Sequence, residues 1–218
     1  APAACADYPR GMSERADRPY DVVVFGATSF VGQILCKYLV DRIGVEGSVS
    51  WAIAGRSSSK LEEVANDTGA TVPRIVADAA DLTAMSSLVE STQVVISTVG
   101  PYAKYGSVLV EAAAKAGTDY CDLTGEPQWM SKMIDAYQTE AEESGARIVH
   151  SCGFDSIPSD LGVWFTQQEA LAKFEEPCTQ IEMRVKTLKG GASGGTIASG
   201  LNVVAEAAAD PSLRKVLA

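Results

Sequence analysis

Residues Asp21-Val-Val-Val-Phe25, followed by Gly26-Ala-Thr-Ser-Phe-Val-Gly32, decide the fold of this 218-residue chain. The first run is short, apolar and rich in β-branched residues, which predicts a buried parallel strand rather than a helix. From Phe30 to Arg42 the pattern changes: Val31, Ile34, Leu35 and Leu39 fall on one helical face. Between the two, Gly26, Ser29 and Gly32 fill the small-residue positions of a G-x-x-G-x-x-G fingerprint, with serine in the middle. Gly26 permits a sharp turn off the strand. A small middle residue lets backbone N–H groups approach a pyrophosphate, and Gly32 lets the helix pack close, its N-terminus favouring an anion. Phe30 and Val31 open that helix, and Thr28 and Ser29 add hydroxyl donors. A strand before the loop and a helix after it are the context a dinucleotide site requires. The alternative is a tight strand-to-helix turn that holds nothing.

Outward from this unit the same rhythm continues. Strands are expected at Val49–Ala54, Arg74–Ala77, Gln93–Val99, Thr118–Leu123 and Arg147–Ser151. Helices are expected at Lys60–Asp67, Leu82–Glu90, Ser107–Lys115 (ended by Gly117 as a C-cap) and Trp129–Ser144, with a further start near Pro158. This alternation predicts an α/β fold, a Rossmann-type doubly wound parallel sheet in the order 3-2-1-4-5-6. Residues 1–19 mix Ala, Pro, Asp and Arg without periodicity and read as a disordered lead, and 20–177 as the dinucleotide-binding domain. Glu169–Pro177 reads as a charged connection and Gln180–Lys186 alternates like a half-exposed strand. A Gly190–Gly195 loop and an Ala-rich helix from Thr196 to Ala209 follow. One strand and one helix make no core alone, so 178–218 reads as the start of a truncated second α+β domain.

Composition narrows the function classes. Eighteen Lys and Arg against 28 Asp and Glu leave a formal charge of −10, which argues against general attraction to nucleic acid or an anionic membrane surface. No apolar run approaches the roughly 18 residues of a membrane span, and the amino terminus lacks the apolar stretch of a signal peptide. Five scattered cysteines without a C-x-x-C pair suit a reducing cytoplasm, and with one histidine, His150, no metal site is expected.

The second strand ends Ala54-Gly-Arg-Ser-Ser-Ser-Lys60, without the carboxylate that bonds a ribose 2′-hydroxyl in NAD sites. Arg56 instead offers a planar fork to a 2′-phosphate, and Ser57 and its neighbours offer hydroxyls. NADP(H) is the expected cofactor; a solvated surface arginine is the alternative. Ligands of such sheets lie beyond the carboxyl ends of the strands. Asp78 is therefore expected on the adenine side, and Val99-Gly100-Pro101 either along the cofactor or as a purely structural Gly-Pro turn.

These segments, with Asp119-Tyr-Cys-Asp-Leu-Thr-Gly-Glu126 and Cys152-Gly-Phe-Asp-Ser-Ile-Pro-Ser-Asp160, resemble the saccharopine dehydrogenase-like oxidoreductases. The branch most similar is that of the trans-acting enoyl reductases of actinobacterial lipid synthesis. The resemblance implies NADPH-dependent reduction of a carbon–carbon double bond on a polyketide-derived acyl chain. It also implies a substrate and homodimerisation domain after the Rossmann unit, and association of some relatives with membranes or lipid bodies.

Catalytic residues are less legible. The tyrosine–lysine pair of short-chain reductases, four residues apart, is absent. Tyr102 and Lys104 follow the fourth strand and can face the nicotinamide, or be a packed aromatic and a solvated lysine. Cys152, before a helix start that would lower its pKa, is a candidate nucleophile for a semialdehyde dehydrogenase-like reaction, or a structural thiol. Asp155 and Asp160 orient substrate or cap the helix. Asp122 and Glu126 suit acid–base work or a turn. A module that binds NADP(H) without turnover is the rival from another class.

Overall fold

The computed structural model describes residues 17–187, 189, 191, 193–210 and 213. Its centre is a six-stranded parallel sheet in the order β3-β2-β1-β4-β5-β6, the order expected of a doubly wound sheet. The strands are β1 (Tyr20–Phe25), β2 (Trp51–Gly55), β3 (Arg74–Val76), β4 (Thr92–Ser97), β5 (Asp119–Asp122) and β6 (Ile148–Val149). Helices α1 (Phe30–Arg42), α2 (Ser58–Thr68) and α3 (Leu82–Glu90) follow the first three strands. After β4 come a single turn α4 (Tyr102–Tyr105) and α5 (Ser107–Ala116). Then follow α6 (Pro127–Ser144), α7 (Ile157–Phe174) and α8 (Gly194–Ala209).

Period-two side-chain alternation builds the two faces. Val24 on β1 and Trp51 and Ile53 on β2 pack with Leu39, Leu61 and Val64 of α1 and α2. Their neighbours Val23, Phe25, Ala52 and Ala54 point the other way, against Met85, Leu88, Leu109 and Val110 of α3 and α5. Both faces are covered, so the inner strands read as unbroken apolar runs. Gly117 ends α5 in the left-handed region at φ 67°, as its spacing after the alanine run requires.

The carboxy-terminal part differs from the sequence expectation in two places. Residues 169–174 are helical, the last turn and a half of α7, with Glu169 and Lys173 paired at 3.0 Å one turn apart; charges in that register solvate a helix face rather than break it. Residues 181–187 form no strand and are largely exposed, because alternation without a partner strand gives no ladder. The Gly190–Gly195 loop lies partly outside the described residues. α8 packs back on the sheet domain: Ser199 Oγ bonds Glu126, and Gln128 bonds Glu206. α7 leaves Leu161, Trp164, Phe165 and Phe174 exposed. Among the described residues no helix is long and apolar enough to cross a membrane.

Most of the lead expected to be disordered, 1–16, lies outside the described residues, but Arg18 does not behave as a tail. Its guanidinium donates to the carbonyls of Val89, Thr92 and Ala116 and to Thr118 Oγ1, at 2.5–3.2 Å. It ties the segment before β1 to the ends of α3, β4 and α5. Replacing Arg18 with Met keeps the aliphatic stem and removes these donors. We expect a loss of about 2 kcal/mol, read as a lower urea midpoint with an unchanged slope.

Candidate functional site

The loop between β1 and α1 is built by close approach. Gly26 N and Ala27 N both donate to Ala54 O at 2.9 and 3.2 Å, tying the turn to β2. Gly26 sits at φ +88°, and a Cβ there would lie 2.6 Å from Val99 Cγ2 and 2.8 Å from Thr98 Oγ1. A Cβ on Gly32 would collide with Gly26 O and stand 2.8 Å from Ala27 Cα. Glycine at both ends is thus a steric requirement. Ser29 is the N-cap of α1, its Oγ accepting the Gly32 N–H at 2.9 Å. The amides of Thr28, Phe30 and Val31 meet no acceptor among the described residues. Three such donors at the start of a 13-residue helix are the kind of group that can meet an anion.

The Ser29 hydroxyl has a different role from the expected one. Thr98 Oγ1 donates to Gly26 O at 2.9 Å and lies 2.9 Å from Ser29 Oγ. With the Thr98 hydrogen so placed, Ser29 donates to Thr98. Its hydroxyl therefore closes the loop onto the end of β4 rather than offering a spare hydrogen to a phosphate. Thr98 also lines the cleft along this loop, although only its hydroxyl at the carboxyl end of the strand beside β1 marks it in the sequence.

A cleft of about 200 Å³ opens along this loop. It brings together Gly26, Thr28 and Ser29 from the loop, Arg56 after β2, and Asp78 after β3. Val99 and Gly100 close the side beyond β4, and Tyr105 of α4 completes it. Phe30, Val31 and Gly32 lie behind it in the first turn of α1, and Pro101 behind Gly100 as the N-cap of α4. Ser57 is turned to another task, capping α2 and sharing a 3.1 Å bond with Ser59. Asp78 uses Oδ1 to accept from Ala80 N at 3.0 Å. Arg56 is exposed and has no ion-pair partner among the described residues. The donor set, a ring of unpaired amides with a cation one strand away, fits the pyrophosphate and 2′-phosphate of NADP(H).

The catalytic candidates are scattered. Tyr102 is buried, its hydroxyl donating to Ser97 O at 3.0 Å and its ring 5.5 Å from that of Trp129. Burial, reinforced by Asp122, pushes its pKa far above the usual phenol range. Lys104 is exposed on α4. Asp122 is buried at the end of β5, where it accepts from Tyr120 Oη at 2.8 Å, Thr124 N at 3.0 Å and Ser151 N at 2.9 Å. It also faces His150 Nδ1 at 2.7 Å. His150 is thereby aimed at Asp122, and Cys152 Sγ donates to the backbone carbonyls of Val149 at 3.5 Å and His150 at 3.9 Å rather than to the imidazole. Cys152 is exposed, and its pKa moves opposite to the expected direction: burial of the sulfur, then the Asp122 charge, raise it. Asp155 and Asp160 are exposed, and Ser156, the N-cap of α7, makes no side-chain cap bond. Asp160 stands in the first turn of α7, where its charge suits the helix dipole.

Residues 22–149 match the family described as "Saccharopine dehydrogenase NADP binding domain". A Mycobacterium tuberculosis protein provisionally named a trans-acting enoyl reductase is 45% identical over 203 residues, 92% of this chain and 48% of the relative. A protein of Mycobacterium bovis (strain BCG) named trans-acting enoyl reductase is 38% identical over 207 residues, 93% of this chain and 49% of its own. The chain thus spans about half the length of these relatives. Apo saccharopine dehydrogenase (L-Glu forming) from Saccharomyces cerevisiae is a structural neighbour, with a TM-score of 0.56 at 20% identity. It covers 70% of this chain and 32% of the yeast protein, a likeness of fold.

Two outcomes follow from the site geometry. Gly32→Ala places a methyl against backbone that cannot swing aside, and should weaken NADPH binding at least about tenfold in a fluorescence titration. Because the thiolate is the form that reacts, the raised pKa of Cys152 should shift its alkylation by iodoacetamide to higher pH than an ordinary thiol, as read by peptide mass mapping. Alkylation of Cys152 at the same pH as an ordinary thiol, or at lower pH, would contradict that environment.

Proposed function

This chain belongs to the family of saccharopine dehydrogenase NADP-binding domains, with NADP(H) as cofactor, and from that premise we propose that it is the cofactor-holding part of an NADPH-dependent enoyl reductase. The observation that carries the reading is one cleft lined by Gly26, Thr28, Ser29 and Arg56 at the start of a helix whose Thr28, Phe30 and Val31 amides meet no acceptor among the described residues. When bound, NADPH supplies a hydride to an acceptor carbon. The chain's own residues hold and orient. The α1 amides neutralise the pyrophosphate, Arg56 forks the 2′-phosphate, and Val99 and Gly100 wall the half of the cleft beyond β4. The names of the mycobacterial relatives support the carbon–carbon double bond of an enoyl group as the group reduced, and the family resemblance alone supports a lipid or polyketide-type acyl chain as its carrier.

A thiol mechanism through Cys152 draws no support from a sulfur whose pKa is raised and whose nearest histidine faces Asp122. The apolar face of α7 supports a further domain, or a second copy of the chain, as the partner that supplies the rest of a substrate site. Peripheral attachment to a membrane rests on the family resemblance alone.

Two measurements test the proposal. Arg56→Ala should weaken NADPH binding about 10- to 100-fold, the range for a lost charge-assisted phosphate bond, and leave NADH binding unchanged. NADPH carrying deuterium at the transferred position, incubated with enoyl thioesters, should leave deuterium in the saturated acyl product. Binding of NADPH without label transfer to any enoyl thioester would favour a module that senses the cofactor without turning it over.

A further inference from the structure

Glu126 follows Asp122 in a spacing that suits an acid pair, yet hydrogen-bond donors occupy its carboxylate. It is fully buried and meets no Lys or Arg among the described residues. Three donors hold it instead. Oε1 accepts from Tyr102 N at 2.8 Å and Oε2 from Ala103 N at 3.0 Å, the first two amides of α4. The third comes from far along the chain: Ser199 Oγ of α8 donates to Oε1 at 2.8 Å. A buried carboxylate needs such donors, because an unpaired one is among the costliest groups to desolvate.

One oxygen therefore joins two segments that share no other covalent or strand connection. On one side is α4, continuous through Pro101 with Val99 and Gly100, which wall the cofactor cleft. On the other is α8, further anchored by Gln128 Nε2 to Glu206 Oε2 at 3.1 Å, while Asn202 Nδ2 one turn earlier in the same helix holds Glu206 Oε1 at 2.9 Å. Ser199 also stands over the loop itself, 3.6 Å from where a Cβ on Gly100 would be. The sheet order says which half of the cofactor is affected. Arg56 follows β2 on one side of β1, and Val99 and Gly100 follow β4 on the other. With the 2′-phosphate at Arg56 and the pyrophosphate at α1, the nicotinamide half must run past β4.

We propose that Glu126 is a positioning residue that, through Ser199, couples the placement of α8 to the wall of the nicotinamide half of the cleft. α8 in its observed place presets Val99 and Gly100; α8 displaced leaves Glu126 one donor short and the wall free to shift. This rests on the cleft being the NADP(H) site, so the test separates the two ideas. The two probes are NADPH and adenosine 2′,5′-bisphosphate, which carries the adenosine and 2′-phosphate but no nicotinamide. Both are titrated calorimetrically into the full chain and its variants. Ser199→Ala should weaken NADPH about five- to tenfold, less than the full worth of one hydrogen bond to a charged acceptor because the bond acts on the cofactor only through the wall, and change the bisphosphate less than about twofold. Ser199→Thr, which keeps the hydroxyl, should restore NADPH binding. Equal losses for both probes, or no loss for either, would overturn the coupling. Failure of Arg56→Ala to weaken the bisphosphate would instead overturn the placement of the cofactor, whatever Ser199 does.

Discussion

Everything in this structure that bears on function depends on how closely the first turn of α1 approaches the chain leaving β1. The space beside Gly32 is already filled by Gly26 O and Ala27 Cα, so the helix axis starts against the strand end with no side chain between them. That proximity makes the helix N-terminus available at the crest of the sheet, where the β1 and β4 connections leave in opposite directions. A pyrophosphate placed there meets amides that would otherwise be solvated only by water. The interaction is with backbone, so it is insensitive to the identity of Ala27, Thr28 or Phe30 and demanding only of the glycines.

Charge distribution explains how an acidic chain, at −10 overall, takes a polyanionic cofactor. Long-range attraction is not available to it. What the cleft supplies is local: dipoles at α1 and an exposed guanidinium at the end of β2, within the first few ångströms where screening is least effective. Asp78 borders the same cleft, but one of its oxygens is already engaged with the Ala80 amide, which keeps that carboxylate in its own turn.

The sheet was readable from sequence because its signals are local. α1 and α3 begin and end at the residues their periodicity marks, Phe30–Arg42 and Leu82–Glu90. The apolar run from Gln93 could only be a covered strand. The cleft was readable in outline for the same reason, since Gly26, Arg56 and Val99 each follow a strand end. What sequence could not show was set by contacts between distant residues. Ser29 and Thr98 are 69 positions apart, and Ser199 and Glu126 are 73; no periodicity links either pair. Tyr102 was a candidate because it follows a strand end, whereas its hydroxyl direction is decided by packing against Trp129. The alternation at Gln180–Lys186 was real as a pattern but had no neighbouring strand to register against. Cys152 stands before a helix start, yet the sulfur responds to burial and to Asp122, a residue 30 positions earlier that only the fold brings near.

The central claim is that the start of α1 holds the pyrophosphate of NADP(H), and amide hydrogen exchange resolved to single residues reads it directly. Saturating NADPH should slow exchange at Thr28, Phe30 and Val31, and NADH at the same concentration should slow it far less. Protection by NADPH that falls elsewhere on the chain and leaves those three amides unchanged would contradict the account.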